Sequence, residues 1–386
     1  MAYAEGRVYH DADSHVMETP DWVVPYADPD IRARLKPLYV STVKPGEEKL
    51  IDKLRRLHAD AAERPKLEAE IMLRKNWSAL GSFIKEDRPR ALDLLGFRSQ
   101  LVFNTFMNKY FVAAEHADDA TFAYGLARAH NRAIVDFCSV DPRLLSVGYV
   151  PLADFAQARA MAIEAIAMGC KALLIPSACP KGHSPSHTGL FPLWQVAQEA
   201  RVPIVFHVGG GGRLLDPDYF KNGLPMVTDF HGGAENFRSV DFMAIPFPPM
   251  QTLATMIFDR VFDHFPELKV GVIEQGAVWL PSWMRQLDTA HEAFHKSEER
   301  LRLLKLRPSD YVRRQIRVTP YPTEPVGWII EQVGEEVLLF SSDWPHVEGG
   351  RNPLKRFEDT MAGIGERAKA RFYADNFVDL MGAGLA

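Results

Sequence analysis

The sequence has few cysteines and no long apolar run. Its 386 residues include only three cysteines, Cys138, Cys170 and Cys179, and none of them forms a CxxC pair. They predict neither a disulfide framework nor a thiolate metal site, and we interpret them as buried thiols in a reducing compartment. No run approaches the roughly 18 consecutive apolar residues of a membrane helix. The charged N-terminal stretch also offers no apolar signal core. We therefore expect an unexported, cytoplasmic protein that does not act at a membrane.

The sequence also lacks a strong excess of charge of either sign. The 45 Lys and Arg residues against 50 Asp and Glu residues give a net charge of −5, with no block of five like charges. This balance offers no basic surface for nucleic acid, so we expect a small-molecule substrate and no nucleic-acid partner. Hydrophobic residues make up 47% of the chain and charged residues 25%, which excludes a disordered or fibrous protein.

Eight short apolar or β-branched runs are the most regular signal in the chain. Each run ends in polar residues, glycine or proline, which is typical of strands buried on both faces of a parallel sheet. The predicted strands are Arg7–Asp13, Gln100–Asn104, Leu145–Val150, Ala172–Pro176, Pro203–Val208, Leu268–Ile273, Ile316–Thr319 and Val337–Ser341.

Segments with apolar residues at three- and four-residue spacing connect these runs and predict crossover helices. Eight such units predict a single (β/α)8 TIM barrel domain over residues 1–386. A barrel of about 250 residues leaves roughly 130 for insertions. We place a helical insertion after strand 1, at residues 18–99 with a charged helical stretch over Gly46–Lys75, and a long loop after strand 5, at residues 209–250. The predicted helices are Asp118–Val140, Ala153–Met168, Phe191–Ala200, Gln251–Phe265 and Glu324–Val333.

Ionisable residues stand at the ends of four predicted strands, where barrel enzymes carry their chemistry. The first strand runs into the sequence DADSH, and alternation along it places Asp11, Asp13 and His15 on one side. Carboxylates and imidazoles that converge at one edge predict a site for one divalent metal ion per chain. Such an ion lowers the pKa of a bound water or polarises a substrate oxygen. The other three strand-end residues are His207, Glu274 and Asp343.

Four segments together resemble the amidohydrolase-related family, in the branch of aminocarboxymuconate semialdehyde decarboxylase and related metal-dependent decarboxylases and hydrolases. The segments are DADSH, PIVFHVGG, HFPELKVGVIEQGAVWLPSWMRQLD and FSSDWPHVEG. The ending ARFYADNFVDLMG is similar to the last helix of that family. The resemblance extends from about Val8 to about Leu380 and implies a TIM barrel with a mononuclear metal site.

The resemblance also implies roles for individual residues. The first-strand ligand pair of the family falls on Asp13 and His15, with Asp11 left open as an alternative to Asp13. The third ligand falls on His207 and the fourth on Asp343, whose counterpart in the family also transfers protons. We expect Asp11 and His346 to orient the ligands without contacting the ion. We expect zinc as the first choice of ion and manganese as the second, and the resemblance implies a homodimer or homotetramer.

The sequence departs from the family pattern at two strand ends. Asp13 replaces the commoner histidine or glutamate, and Glu274 stands where family decarboxylases carry a catalytic histidine followed by glycine. Glu274 can act as an acid or base if burial raises its pKa, but it cannot act as an imidazolium. We therefore place a hydrolase first, with metal-activated water attacking a small cyclic or aromatic, carboxylate-bearing substrate. The alternatives are a non-oxidative decarboxylase of an aromatic or unsaturated carboxylic acid and an inactive relative that only binds a ligand.

Four further residues are candidates for contact with the substrate. His231, in the loop after strand 5, is predicted to donate a catalytic proton. Arg238, from the same loop, is predicted to hold a substrate carboxylate through its planar fork. Asn104 and Trp344 stand close to strand ends and are predicted to line the pocket.

Overall fold

A parallel β-sheet forms the centre of the molecule. The computed structural model of the protein describes residues 2–38, 47–211, 215–225 and 239–385. Within these ranges seven strands pair in chain order, from β1 to β7. The strands are His10–His15 (β1), Ser99–Phe103 (β2), Leu144–Tyr149 (β3), Ala172–Leu174 (β4), Ile204–His207 (β5), Val270–Ile273 (β6) and Ile316–Val318 (β7).

The segment spanning residues 337–344 lies between β7 and β1 and joins the two edges of the sheet. Leu339 donates its backbone N–H to β7, and the carbonyl of Phe340 accepts an N–H from β1. This closure is consistent with a TIM barrel. The predicted regular strand Val337–Ser341 is nevertheless wrong, because the segment forms only isolated bridges. We attribute the irregular pairing to a bulge in β1 and to the left-handed backbone of Asp343, at a φ of 50°.

The bulge in β1 changes which side chains share a face. Asp11 pairs with Gln100 and Ser14 pairs with Val102, so three steps along β1 match two steps along β2. One extra residue in a strand reverses the alternation beyond it. The prediction that Asp11 shares a side with the residues at the end of β1 is therefore wrong, because the predicted strand was assumed to be regular.

Helices connect the strands and cover the sheet. The helix Phe191–Ala200 has its predicted bounds, whereas the predicted helix Gln251–Phe265 is divided at Arg260, which has a φ of 67°. In the described residues the α-helices are Pro29–Arg32 (α1), Glu47–Ala59 (α2), Arg64–Ala69 (α3), Arg88–Leu95 (α4), Asn108–His116 (α5), Ala120–Cys138 (α6), Phe155–Met168 (α7), Phe191–Ala200 (α8), Ser239–Ala244 (α9), Phe247–Phe258 (α10), Val261–His264 (α11), Leu280–Phe294 (α12), Glu299–Arg302 (α13), Pro308–Gln315 (α14), Val326–Val333 (α15), Pro353–Thr360 (α16), Glu366–Ala370 (α17) and Asn376–Met381 (α18). Short 3-10 helices lie at Val24–Tyr26, Asn76–Ser78, Lys85–Asp87, Thr188–Leu190, Pro217–Phe220 and Gly382–Leu385, and a π-helical turn at Arg371–Asp375.

The chain between β1 and β2 carries α1 to α4 and packs against the end of the closing segment. Trp344 donates its Nε1–H to the Ile71 carbonyl (3.0 Å), and Asn76 donates its N–H to the Pro345 carbonyl (2.9 Å). The predicted helical stretch over Gly46–Lys75 is divided into α2 and α3. A small apolar core beneath it consists of Met17, Ile51, Leu54, Trp77, Phe83 and Phe106.

Two composition-based expectations concern exposure. Cys138 and Cys170 are buried as predicted, whereas Cys179 is exposed because it lies in the loop after β4. Across the described ranges, none of the helices combines the length and apolarity needed to span a bilayer.

Candidate metal centre

Five ionisable side chains converge at the carboxyl ends of the strands. Asp13 and His15 lie at the end of β1, His207 ends β5, Glu274 follows β6 directly, and Asp343 lies near the end of the closing segment. Their possible ligand atoms form two overlapping groups, and within each group all atoms lie within 4.8 Å of one another. The first group is Asp13, His15, His207 and Glu274, and the second is His15, Glu274, Asp343 and His346.

The two imidazoles lie among the three carboxylates. His207 Nε2 is 3.4 Å from Asp13 Oδ1 and 3.2 Å from Glu274 Oε2. His15 Nε2 is 3.1 Å from Asp13 Oδ1 and 3.5 Å from Asp343 Oδ1. Five of the six predicted strand-end residues are therefore within a few ångströms of one centre.

Both imidazoles turn the same nitrogen toward this centre. His15 donates its Nδ1–H to the Asn104 carbonyl (2.9 Å), and His207 donates its Nδ1–H to the Val208 carbonyl (3.0 Å). Because a neutral imidazole has one N–H, each Nε2 presents a lone pair to the carboxylates. Burial, together with the nearby His346, lowers the pKa of His15 to about 4, so the ring of His15 is neutral near pH 7.

Several polar atoms at the centre are buried without a partner. In the described part of the chain, Asp13 Oδ2, His15 Nε2 and both carboxylate oxygens of Asp343 have no hydrogen-bond partner. Buried polar atoms are almost always satisfied, and unpaired ones are costly. Converging lone pairs and charged oxygens therefore fit a divalent cation with N and O ligands.

Two of the carboxylates stand on residues with a left-handed backbone. The φ angle is 53° at Glu274 and 50° at Asp343. Glu274 donates its N–H to Thr319 Oγ1 (2.8 Å), and its carbonyl accepts the hydroxyl of Tyr321 (2.8 Å). Non-glycine residues rarely adopt positive φ, and such residues concentrate at functional sites. The chain after β7 thus holds both backbone groups of Glu274 in a conformation that turns its side chain toward the cluster.

Asp11 does not join the cluster. Its carboxylate accepts hydrogen bonds from the Ser342 N–H (2.8 Å), the Ser342 hydroxyl (2.7 Å) and Gln100 Nε2 (2.8 Å). Burial raises its pKa to about 7. The structure therefore brings Asp13 to the centre, while Asp11 fixes the residue before Asp343, which is the supporting position that the sequence suggested.

His346 contacts Asp343. Its Nδ1 is 3.0 Å from Asp343 Oδ1, and its ring stacks on His15 with centroids 3.8 Å apart. Its Nε2 is 2.9 Å from Thr105 Oγ1, whose hydroxyl donates to the Val16 carbonyl (2.8 Å). Because that bond uses the only hydroxyl hydrogen of Thr105, Nε2 of His346 is the donor. The other nitrogen, Nδ1, faces the Asp343 carboxylate and is the position at which the ring can take up a second proton.

The predicted substrate contacts are placed differently. The carbonyl of Asn104 positions His15, and its side-chain amide donates to Asn108 Oδ1 (2.9 Å). Trp344 is fully buried with the Arg88 guanidinium 4.5 Å above its ring, so its position is that of a packing residue and gives no support for the predicted substrate contact. His231 and Arg238 lie outside the described residues.

The sequence analysis missed the carboxylates that hold the loops around the centre. Glu18 is buried and accepts the N–H groups of residues 105–107, and Glu324 accepts those of residues 277, 278 and 321. Burial raises the pKa of Glu18 to about 7. An acidic residue a few positions beyond a predicted strand end was the available signal, and in both cases its role is to fix a loop next to a ligand.

Comparisons with known proteins agree with this architecture. A family model described as amidohydrolase matches residues 11–377. The chain is similar in structure to an amidohydrolase from Mycobacterium avium subsp. paratuberculosis, with 21% identity, a TM-score of 0.75, and coverage of 98% of this chain and 100% of that one. No curated protein matches the chain.

Two similar structures are decarboxylases. One is 5-carboxyvanillate decarboxylase from Novosphingobium aromaticivorans, complexed with manganese and 4-hydroxy-3-methoxy-5-nitrobenzoic acid, with 17% identity, a TM-score of 0.65, and coverage of 97% of this chain and 96% of that one. The other is 2,6-dihydroxybenzoate decarboxylase from Rhizobium, with 16% identity, a TM-score of 0.64, and coverage of 98% and 99%. Likeness at these identities establishes a shared fold.

Proposed function

The chain belongs to the amidohydrolase family, and on that premise we propose that it is a metal-dependent carboxy-lyase that removes CO₂ from an aromatic carboxylic acid. The observation that carries the proposal is the convergence of five ionisable side chains, of which Asp13, His15 and Asp343 present buried polar atoms with no hydrogen-bond partner among the described residues. The similarity to two aromatic acid decarboxylases favours decarboxylation over the hydrolysis that the sequence placed first. The manganese in one of them favours manganese over zinc, which was the first expectation.

The residues at the centre have defined tasks in such a reaction. Asp13, His15, His207 and Asp343 would hold the ion, which supplies positive charge to bind and polarise substrate oxygens. Asn104 and the Val208 carbonyl fix the two imidazoles with Nε2 inward. Neutral imidazoles with a fixed tautomer keep those lone pairs available as ligands.

The remaining task is the delivery of a proton. Loss of CO₂ breaks a carbon–carbon bond and leaves an electron pair on the ring carbon, which must accept one proton. We assign that proton to the pair formed by Asp343 and His346, whose Oδ1 and Nδ1 are 3.0 Å apart. Thr105 Oγ1 accepts the Nε2–H of the imidazole, so a proton that His346 takes up from solvent lies on Nδ1, the side that faces Asp343. Solvent then replaces the proton after each turnover.

A hydrolase is the second candidate, and one observation favours it. β6 ends in Glu274, where decarboxylases of the resembled branch carry a histidine. In hydrolysis Asp343 would accept a proton from the attacking water instead of donating one to carbon. The two reactions therefore require Asp343 to transfer a proton in opposite directions.

The test compares the two reactions in one preparation. Metal-free protein is reloaded with Mn²⁺ and incubated in D₂O with 2,6-dihydroxybenzoate, 5-carboxyvanillate and unsubstituted benzoate, and in parallel with esters and lactones. We expect CO₂ release from a hydroxylated acid and one deuterium at the carbon that carried the carboxylate. Asp343→Asn is expected to abolish the release, whereas Asp359→Asn, at an exposed carboxylate paired with Lys355, is expected to retain it.

The other outcomes identify the alternatives. Hydrolysis of an ester or lactone without CO₂ release would overturn the carboxy-lyase and establish the hydrolase. A protein that takes up neither Mn²⁺ nor Zn²⁺ would overturn both reactions and leave the ligand-binding relative.

A further inference from the structure

Glu274 belongs to the ionisable cluster but has no task in the proposed decarboxylation. Its Oε2 is 3.2 Å from His207 Nε2 and 3.9 Å from His15 Nε2. It is a member of both overlapping groups of possible ligands, as is His15. Its position is therefore central to the cluster and not peripheral to it.

We propose that Glu274 is a metal ligand, so that three carboxylates and two imidazoles hold the ion and select manganese over zinc. This inference rests on the metal dependence of the proposed function. It replaces the acid or base role that the sequence suggested for this residue.

The orientation of the two imidazoles supports this assignment. Both Nε2 atoms present lone pairs, because both Nδ1–H groups are donated to backbone carbonyls. A protonated Glu274 could donate to His207 Nε2 but would leave the lone pair of His15 and the oxygens of Asp343 unsatisfied. A cation at the centre satisfies all of them together.

The loop after β6 is built to hold the carboxylate in one place. Glu274 has a φ of 53°, and both its backbone N–H and its carbonyl are bonded to the chain after β7. Gly276 has a φ of 67°, and a Cβ atom there would lie 2.9 Å from Glu324 and 3.0 Å from Tyr321. Glu324 accepts three N–H groups from the two loops. This rigidity is what a fixed coordination geometry requires.

The charge and chemical type of the ligands indicate the ion. Carboxylate oxygens suit Mn²⁺, whereas Zn²⁺ prefers nitrogen and sulfur with four ligands. Three carboxylates exceed the charge of a divalent ion by one. Lys75 offsets this excess, since its Nζ is buried, has no hydrogen-bond partner among the described residues, and interacts with the charges of Asp343 and Glu348. Burial lowers the pKa of Lys75 to about 8, so the amine is largely charged near pH 7.

The test measures metal affinity directly. Metal-free wild type and Glu274→Gln are titrated with Mn²⁺ by following the electron paramagnetic resonance signal of the free ion, and with Zn²⁺ by chelator competition. Loss of a partner outside the ligand set costs about 10- to 100-fold in metal affinity, so loss of a ligand is expected to raise the Kd for Mn²⁺ by more than about 100-fold. Asp288→Asn is the control, since it also replaces a buried carboxylate, one on α12 that accepts the Ser309 N–H and belongs to neither ligand group, and its Kd is expected to match wild type.

A second variant keeps the test decisive if Glu274→Gln does not fold. Glu274→His exchanges an oxygen ligand for a nitrogen ligand, and the preference between the two ions is expected to move toward Zn²⁺. If folded Glu274→Gln binds Mn²⁺ with the Kd of wild type, Glu274 is not a ligand. If that variant has also lost CO₂ release, Glu274 has the acid or base role instead, and the proposed reaction is unaffected. Weakened Mn²⁺ binding, in a protein whose wild type decarboxylates no acid, would instead support the ligand role and overturn the reaction.

Discussion

Replacing Arg88 with methionine is expected to destabilise the protein strongly. Arg88 begins α4 and is fully buried. It donates hydrogen bonds to the His15 carbonyl (2.8 Å) and to Ser14 Oγ (3.0 Å), and its guanidinium lies 4.5 Å over the ring of Trp344. Methionine conserves most of the volume but has no donor, so it leaves both oxygens at the end of β1 without this partner.

The magnitude follows from opposing contributions. Each hydrogen bond from a charged group contributes about 1.5 to 3 kcal/mol, and a desolvated cation over an aromatic ring adds about 2 kcal/mol. Burial lowers the pKa of Arg88 from 12.5 to about 10, and at about 1.4 kcal/mol per pKa unit this desolvation costs roughly 3 kcal/mol, which the variant recovers. The net loss in the free energy of unfolding is therefore about 2 to 5 kcal/mol.

The assay is urea unfolding at pH 7, followed by tryptophan fluorescence on metal-free and on Mn²⁺-loaded protein. Arg88→Lys keeps the charge but not the planar fork, so its free energy of unfolding is expected to lie between those of wild type and Arg88→Met. Arg90→Met is the matched control, because Arg90 forms an exposed pair with Glu68. Its free energy of unfolding is expected to be within about 1 kcal/mol of wild type. If Arg88→Met unfolds at the same urea concentration as Arg90→Met, the reasoning about the buried guanidinium is refuted.

Three further predictions concern the centre and its supports. His207→Ala should remove most of the bound metal, as measured by inductively coupled plasma mass spectrometry. His264→Ala, on α11, is the control, and equal metal content in the two variants would exclude His207 as a ligand. Burial raises the pKa of Glu18 from 4.5 to about 7, so the folded protein holds this proton more tightly than the unfolded chain. The contribution of Glu18 to the free energy of unfolding therefore falls as the pH rises from about 4.5 to about 7. Glu18→Gln should therefore gain in melting temperature relative to wild type between pH 5 and pH 8, whereas a difference independent of pH would contradict the raised pKa. Thr105→Val removes the acceptor that orients His346 and should lower kcat with unchanged metal content; an unchanged kcat would show that His346 needs no such support.

Much of the fold and of the centre could be predicted from local sequence. Strands buried on both faces of a parallel sheet are short apolar runs, so seven of them were found to within a few residues. The carboxyl ends of parallel strands meet at one edge, so ionisable residues at those ends were expected to converge. His15, His207 and Asp343 do so in the structure.

The features that could not be predicted depend on contacts between distant segments. The bulge in β1 is visible only in its pairing with β2, and regular alternation therefore misplaced Asp11. Arg88 lies near the end of the first insertion and Thr105 lies after β2, and each contacts a partner near the end of β1 that is more than 70 residues away in sequence. Nothing near them in sequence marks them as supports. Glu274 was recognised as functional, but its distance from His207 was needed to place it among the possible ligands.

The extra residue in β1 has a consequence for protein engineering. It allows one six-residue strand to send Asp11 toward the barrel wall and Asp13 and His15 toward the interior. A designer who transplants the DADSH motif onto a regular strand of another barrel would direct Asp11 and His15 to the same face. The graft would then place an additional carboxylate at the centre and lose the hydrogen bonds by which Asp11 holds Ser342. A designer must therefore transplant the DADSH residues together with the bulged pairing between the strands, because the residues alone do not determine which side each of them faces.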